Sequence, residues 1–228
     1  MTAKIITVFN QKGGCGKTMT TMQLSGFYGS RELKVFVIDM DLQGTSSLWA
    51  LQAESEVPFP ASVLSMAALS DSFVNKLAPI VEKHDVVLID CPPAIESRVP
   101  WASLLISDLG LIPVVPVMDN IWASKKAEEL ILEAQAKHRA DLKGAYVLNM
   151  VRRGNIFDTC LEQLNNNKLI PILNTHMGMR NVFPESQLFG TFAEGFGTSA
   201  GAKEIEKVGL EVAALIGLNV PKKTKGAK

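Results

Sequence analysis

Cysteine is scarce in this 228-residue chain, neither sign of charge is in excess, and long apolar runs are missing. Cys15, Cys91 and Cys160 are too few and too scattered for a disulfide framework. None stands in a CxxC pair, which argues against a zinc site and for a reducing cytoplasm. The 23 Lys and Arg balance 23 Asp and Glu, which excludes a uniformly basic protein of the histone or ribosomal kind. No apolar stretch reaches the roughly 18 residues of a membrane span. The strand-like start breaks at Asn10, too early for a signal-peptide core, so the chain is expected to be soluble.

Hydrophobic residues make up 47% and charged residues 20%, which excludes disorder, collagen-like repeats and coiled coil. The neutral total hides an asymmetry. Pro221 to Lys228 holds four lysines and no acid, so residues 1–220 carry a net charge of −4. The expected organisation is one domain over residues 1–220 and a basic tail over 221–228.

Short apolar runs at Ile5–Phe9, Val35–Ile38, Val86–Ile89, Leu111–Val115 and Ala145–Leu148 read as buried strands, with Leu169–Leu173 as a sixth despite Pro171. Between them lie helical patterns such as Ala123–Lys137, where Ala127, Leu130, Ile131 and Ala134 share a face. This alternation predicts an α/β fold, a mostly parallel twisted sheet with helices on both faces. Residues 51–70, broken by Pro58 and Pro60, are the least regular. A final helix over Ala202–Ile216 places Ile205, Val208, Val212 and Leu215/Ile216 on one stripe. Its polar face sets Glu204, Glu206 and Glu211 against Lys203 and Lys207, so packing on the sheet is expected rather than membrane anchoring, which favours a lysine-rich face.

Directly after the first strand comes Gln11-Lys12-Gly13-Gly14-Cys15-Gly16-Lys17-Thr18, followed by Met19 and a helical stretch. Strand, glycine loop and helix in that order form the context a phosphate-binding loop requires. The glycines let backbone N–H groups converge on phosphate oxygens, and the helix N-terminus adds its dipole. Lys17 is then placed to reach the β- and γ-phosphates and Thr18 to ligate magnesium, giving a P-loop NTPase that takes ATP and Mg²⁺. Cys15 sits at a variable loop position and needs no redox role.

Lys12 makes the loop read KGGxGKT, which resembles the deviant Walker A motif of the ParA/MinD family of ATPases. That resemblance implies that the extra lysine crosses a nucleotide-sandwich homodimer to the partner's phosphates; neutralising its own nucleotide is the other role open to Lys12. Later segments carry the likeness further. Asp39-Met40-Asp41-Leu42-Gln43-Gly44 resembles the family's D-x-D-P-Q-G stretch, with Leu42 where proline is usual. Two carboxylates at i and i+2 point to one side of an extended segment. The match gives Asp41 the attacking water and Asp39 the support of magnesium or the loop lysine. Val86–Ile89 followed by Asp90-Cys91-Pro92-Pro93 is similar to a Walker B strand, whose Asp90 would hold magnesium.

Ser107–Val117 and the loop Asp119–Ala123 resemble the family's next strand and loop. Asn149 falls where relatives place an amide on adenine; capping the strand end is the other role open to it. Arg152, Arg153 and Arg180, the last within an R-N-V segment, fall in regions that form a non-specific DNA patch in DNA-binding relatives. Phe183-Pro184-Glu185-Ser186 replaces a stretch that often carries another arginine, a loss that Lys222, Lys223, Lys225 and Lys228 are placed to offset. The chain is closest in layout to short ParA-like members of the ParF type. The resemblance implies a cytoplasmic, nucleoid-associated ATPase that dimerises on ATP, binds DNA and is released when an adaptor stimulates hydrolysis. Its cargo would be a plasmid or chromosomal locus, or a protein body such as a carboxysome or chemoreceptor cluster. A MinD-like membrane-cycling regulator, an iron-protein-type reductase and a small-molecule ligase are the rival readings.

Overall fold

The computed structural model describes residues 3–93 and 97–223. Lys225 and Lys228 therefore lie outside the described residues. In chain order the elements are β1 (Lys4–Val8), α1 (Lys17–Gly29), β2 (Val35–Asp39), α2 (Thr45–Leu51), β3 (Ser62–Ser65), α3 (Ala78–Val81), β4 (Val86–Asp90), α4 (Val99–Leu104), β5 (Leu109–Val114), α5 (Met118–Lys137), β6 (Lys143–Leu148), α6 (Asn155–Asn167), α7 (Val182–Leu188) and α8 (Ala200–Ile216). The six strands form one sheet in the order β3-β2-β4-β1-β5-β6, and every pairing is parallel.

β1, β2, β4, β5 and β6 are short, mostly buried apolar runs. Successive side chains alternate between faces, so Ile5, Val87 and Ile89 enter one core while Ile6, Val86 and Leu88 enter the other. The first core is covered by α5 through Ile121, Ala127, Ile131 and Ala134, and the second by α1 and α8 through Met22, Phe27, Ile205, Val208 and Val212. With both faces covered, the central strands are apolar on both sides, as parallel sheets require.

Two strand expectations are corrected. Leu169–Leu173 is not a strand: it makes a single parallel bridge, Tyr146 to Ile172. Pro171 accepts a hydrogen bond from the Tyr146 amide but has no N–H to return, so a ladder cannot propagate there. The sixth strand is instead β3, inside the segment read as irregular. It occupies the sheet edge with three of its four residues exposed, so no apolar pattern marked it.

The final helix packs as expected, its apolar stripe buried and the Tyr28 hydroxyl donating to the Gly209 carbonyl at 2.9 Å. Its acids have a second role. Glu204 accepts from the Gly178 amide, and Glu211 accepts from the amides of Asn174 and Thr175, so one side of α8 holds the loop over residues 174–180. Glu206, two residues on and roughly 200° around the helix, faces Arg31.

Arg31 anchors the far end of α1. Its guanidinium lies 3.7 Å from the Phe27 ring centroid, donates to the Phe27 carbonyl and forms two 3.2 Å bonds to Glu194. Both partners are nearly buried, at 5% and 10% side-chain exposure, so removing one strands a charge. Arg31→Ala is expected to cost about 3 kcal/mol of stability. Lys223→Ala, which removes the half-exposed partner of the same carboxylate, should cost under about 1 kcal/mol. Urea unfolding of both variants measures the difference.

Candidate functional site

The C-terminal ends of β1, β2 and β4 converge, and parallel α/β sheets place their ligands at such strand ends. The loop leaving β1 is pinned at its start by Asn10, which is 2% exposed. The Asn10 amide donates to the Pro113 carbonyl at 2.8 Å, and its carbonyl oxygen accepts from the Lys12 amide. Gly14 and Gly16 adopt φ of +74° and +87°, which a side chain resists. Gly16 also has no space for one, since an added Cβ would lie 2.0 Å from the Asn149 amide nitrogen. Cys15 is fully buried beneath the loop and its thiol is pushed up by that burial, so it is structural.

Gly16 caps α1 without a side-chain hydrogen bond, and the first turn carries no acid. The N-terminal amides of α1 are therefore available to an anion rather than matched internally. The two lysines of the loop point different ways. Lys17 is 7% exposed and its ammonium donates inward to the Lys12 carbonyl at 3.1 Å. Lys12 is 40% exposed and its ammonium lies 2.9 Å from Asp119, in the first turn of α5.

Asp39 and Asp90 end neighbouring strands in direct register and are both buried. Their surroundings differ. Asp39 is engaged on both oxygens, accepting from the Asp41 amide and from the amide and hydroxyl of Ser47. Through these bonds Asp39 fixes the Asp41 loop and the start of α2. Asp90 accepts on Oδ2 from the hydroxyls of Thr18 and Ser46, both at 2.7 Å, while its buried Oδ1 has no hydrogen-bond partner among the described residues. Burial pushes the Asp90 carboxyl up to about 7, with Asp39 adding to the shift and the two hydroxyls opposing it. A desolvated carboxylate with an unmatched oxygen beside a threonine hydroxyl and a lysine is a donor set that fits a divalent cation carrying phosphates.

Asp41 lies one residue past Met40, half-buried, with Oδ1 accepting from the Gln43 amide. Leu42, in the place of the usual proline, is 83% exposed. Asn149 is fully buried, and its amide donates to the Cys15 carbonyl at 3.1 Å, beside the phosphate loop. An adjoining, largely apolar cavity of about 280 Å³ is lined by Met19, Trp49, Met150, Met179 and Phe183 among others.

Arg152, Arg153 and Arg180 come together with His176 around a polar cleft of about 520 Å³. Arg180 is committed to Glu204 at 2.7 Å, so its first role is to hold the loop. Lys223 does not join this cleft. It pairs with Glu194, which bonds Arg31, and Arg31 meets α8 on the side opposite Glu204. Lys222 is exposed beside it and is likewise absent from the cleft. Ser46, Ser47 and Asn10 carry no motif, and Asp119 stood in the sequence only as the start of a family-like loop; the fold brings them to the carboxylates and the phosphate loop.

The family model of the CobQ/CobB/MinD/ParA nucleotide-binding domain matches residues 6–191. The chain belongs to this family. A "maintenance of carboxysome distribution protein A" of Halothiobacillus neapolitanus is 30% identical over 210 residues, 91% of this chain and 95% of that protein. McdA of Cyanothece superposes with a TM-score of 0.75 at 15% identity, covering 92% of this chain and 99% of that one. The septum site-determining protein MinD of Pyrococcus horikoshii, complexed with Mg-ADP, gives 0.74 at 24% identity, covering 94% and 98%. This member of the ParA/MinD group is thus a P-loop ATPase.

The raised Asp90 pKa has a stability consequence. A carboxyl whose folded pKa lies above its ordinary 3.8 binds protons more tightly when folded, so its contribution is full below pH 4 and is lost as pH rises to about 7. Without nucleotide and in EDTA, Asp90→Asn should melt roughly 3 °C higher at pH 8, with the gap closing near pH 4. The same variant should lose Mg-ATP binding. Differential scanning fluorimetry across pH checks both.

Proposed function

We propose that this chain is an ATP-driven positioning ATPase that forms a sandwich homodimer on ATP, holds DNA non-specifically and is released when an adaptor protein stimulates hydrolysis. The observation that carries the dimer is the opposite aim of the two loop lysines. Lys17 is buried against its own loop, while Lys12 stands at the surface on the half-exposed Asp119. A cation turned outward at the mouth of a phosphate site serves the nucleotide of a second copy. Exposed Leu42 and Trp122, close in sequence to Asp41 and Asp119, suit such a contact.

In the chemical step Lys17 neutralises the β- and γ-phosphates of its own nucleotide, and Lys12 meets the partner's nucleotide where negative charge develops. Asp41, fixed by Asp39 and the Gln43 amide, orients the attacking water through its carboxylate. Magnesium, held by Thr18 and Asp90, supplies charge neutralisation of the phosphates when bound. The apolar cavity beside Met19 receives the base.

Arg152 and Arg153 support the DNA reading. They extend from the strand-end segment after β6, are exposed, and border the same polar cleft. Contacts of this kind need charge and no base readout, so neutral overall charge is no obstacle. The cytoplasm and the nucleoid are the corresponding locations. For the cargo, a protein body is favoured over a plasmid. The carboxysome-distribution relative matches along 95% of its length, whereas Protein ParA of Rhizobium radiobacter matches along 64%.

The rivals have less support. Among the described residues no helix is long and apolar enough to cross a membrane, and the apolar stripe of α8 is buried in the core. All three cysteines are buried, and burial raises the Cys91 thiol, which disfavours a cluster bridged between subunits.

Lys12→Ala and Asp41→Ala should each reduce adaptor-stimulated ATP turnover at least about 100-fold. Lys12→Ala should also fail to form an ATP-dependent dimer by light scattering. Undiminished turnover in both variants contradicts the mechanism. Replacing Arg152 and Arg153 by alanine should lower the magnitude of the log-affinity against log-salt slope for DNA by about two.

A further inference from the structure

The stretch that carries Asp41 is tied at both ends to the two buried carboxylates. At its start the Asp41 amide donates to Oδ1 of Asp39 at 3.2 Å. At its end the Ser47 amide and hydroxyl donate to Oδ2 of Asp39, and the Ser46 hydroxyl donates to Oδ2 of Asp90 at 2.7 Å. Two consecutive serines at the start of α2 thus hold carboxylates on two adjacent strands. The ties differ in kind. Ser47 holds Asp39 partly through its backbone, whereas Ser46 reaches Asp90 through its side chain. Ser46 is fully buried, where a hydroxyl is costly unless it finds a partner. Thr18, at the start of α1, donates to the same oxygen of Asp90 at 2.7 Å. Two charge-assisted bonds from two elements on one oxygen fix the plane of the carboxylate.

We propose that Ser46 is a positioning residue that couples the Asp41 loop to the occupancy of the metal site. Together with Thr18 it holds Oδ2 of Asp90, so Oδ1 is the oxygen left to meet a cation or a water bound to one. Through the same bond the start of α2 follows the Asp90 carboxylate. The stretch back to Asp41 is closed on itself, because the Gly44 amide donates to the Asp41 carbonyl and the Gln43 amide to Oδ1 of Asp41, both at 2.9 Å. A cation that settles Asp90 therefore settles Asp41 as well. Thr18 carries the position of Asp90 to the phosphate side of the site, and Ser46 carries it to the side of the attacking water. This inference rests on the reading of Asp41 as the residue that orients that water, and it needs neither the dimer nor the DNA surface.

The test follows amide hydrogen exchange with ADP in EDTA and with ADP and magnesium, conditions in which nothing is hydrolysed. In the wild-type protein magnesium should slow exchange over residues 40–47 and over the phosphate loop, residues 13–18. In Ser46→Ala the slowing over 13–18 should remain and that over 40–47 should be lost. Ser46→Cys keeps nearly the volume but offers a weak donor, and it should behave as the alanine variant does. ATP turnover gives a second reading: kcat should fall roughly tenfold in both variants, with KM changed less than about threefold. Magnesium-dependent slowing over 40–47 that survives in both variants overturns the proposal, as does its absence from the wild-type protein. Exchange that rises across the whole sheet also overturns it, since Ser46 would then be a packing residue. Undiminished turnover in Asp41→Ala is a separate failure, that of the role given to Asp41, and leaves the exchange result to be judged by itself.

Discussion

Two carboxylates buried side by side at the ends of adjacent strands are the constraint around which this protein is organised. Asp39 and Asp90 are in register on β2 and β4, removed from water, and close enough for one to raise the other's pKa. Charge in that position is costly unless it is paired or hydrogen-bonded. The chain answers with hydroxyls and amides from two different elements: Thr18 at the start of α1, and Ser46 and Ser47 at the start of α2. Both oxygens of Asp39 accept hydrogen bonds, whereas Asp90 keeps one oxygen with no partner among the described residues. The imbalance is tolerable in a protein that gains a cation with its substrate, and it is a stability cost otherwise.

The phosphate loop is held from both ends by asparagines outside the glycine motif. Asn10 ties its entry to β5 and Asn149 ties its exit to the segment after β6. A loop so constrained keeps its amides directed before ligand arrives, which lowers the ordering cost of binding. The Asn149 segment continues through strained Met150 to Arg152 and Arg153, and bridges to the loop that α8 holds with Glu204 and Glu211. The phosphate loop's asparagine and the arginine pair therefore share one short stretch of backbone.

Much of this was legible in the sequence because the parts that matter most are local. The glycine loop, the paired aspartates after β2 and the Asp90 strand end each lie within a few consecutive residues, and their apolar strands are read from period and length. What stayed hidden depends on residues far apart in the chain. Four-residue β3 is exposed and has no apolar signature, so its pairing with β2 is decided by tertiary context. Asn149 was legible as a site residue, but its orientation toward Cys15, 134 positions away, was not. The acids of α8 looked like a solvated face until the loop over residues 174–180 was seen to close on them. Lys223 looked like part of a basic patch, and its pairing with Glu194 required the fold.

Neutral net charge and a small arginine surface suit reversible attachment better than a strongly basic body would. In the proposed cycle, two copies brought together on ATP would double the local charge without changing the total, and hydrolysis would disperse it again. The most direct measurement is DNA affinity across a salt titration with ATP, with ADP and without nucleotide. The account predicts tight, salt-sensitive binding with ATP and weak binding in the other two states. Equal affinity in all three states would contradict it.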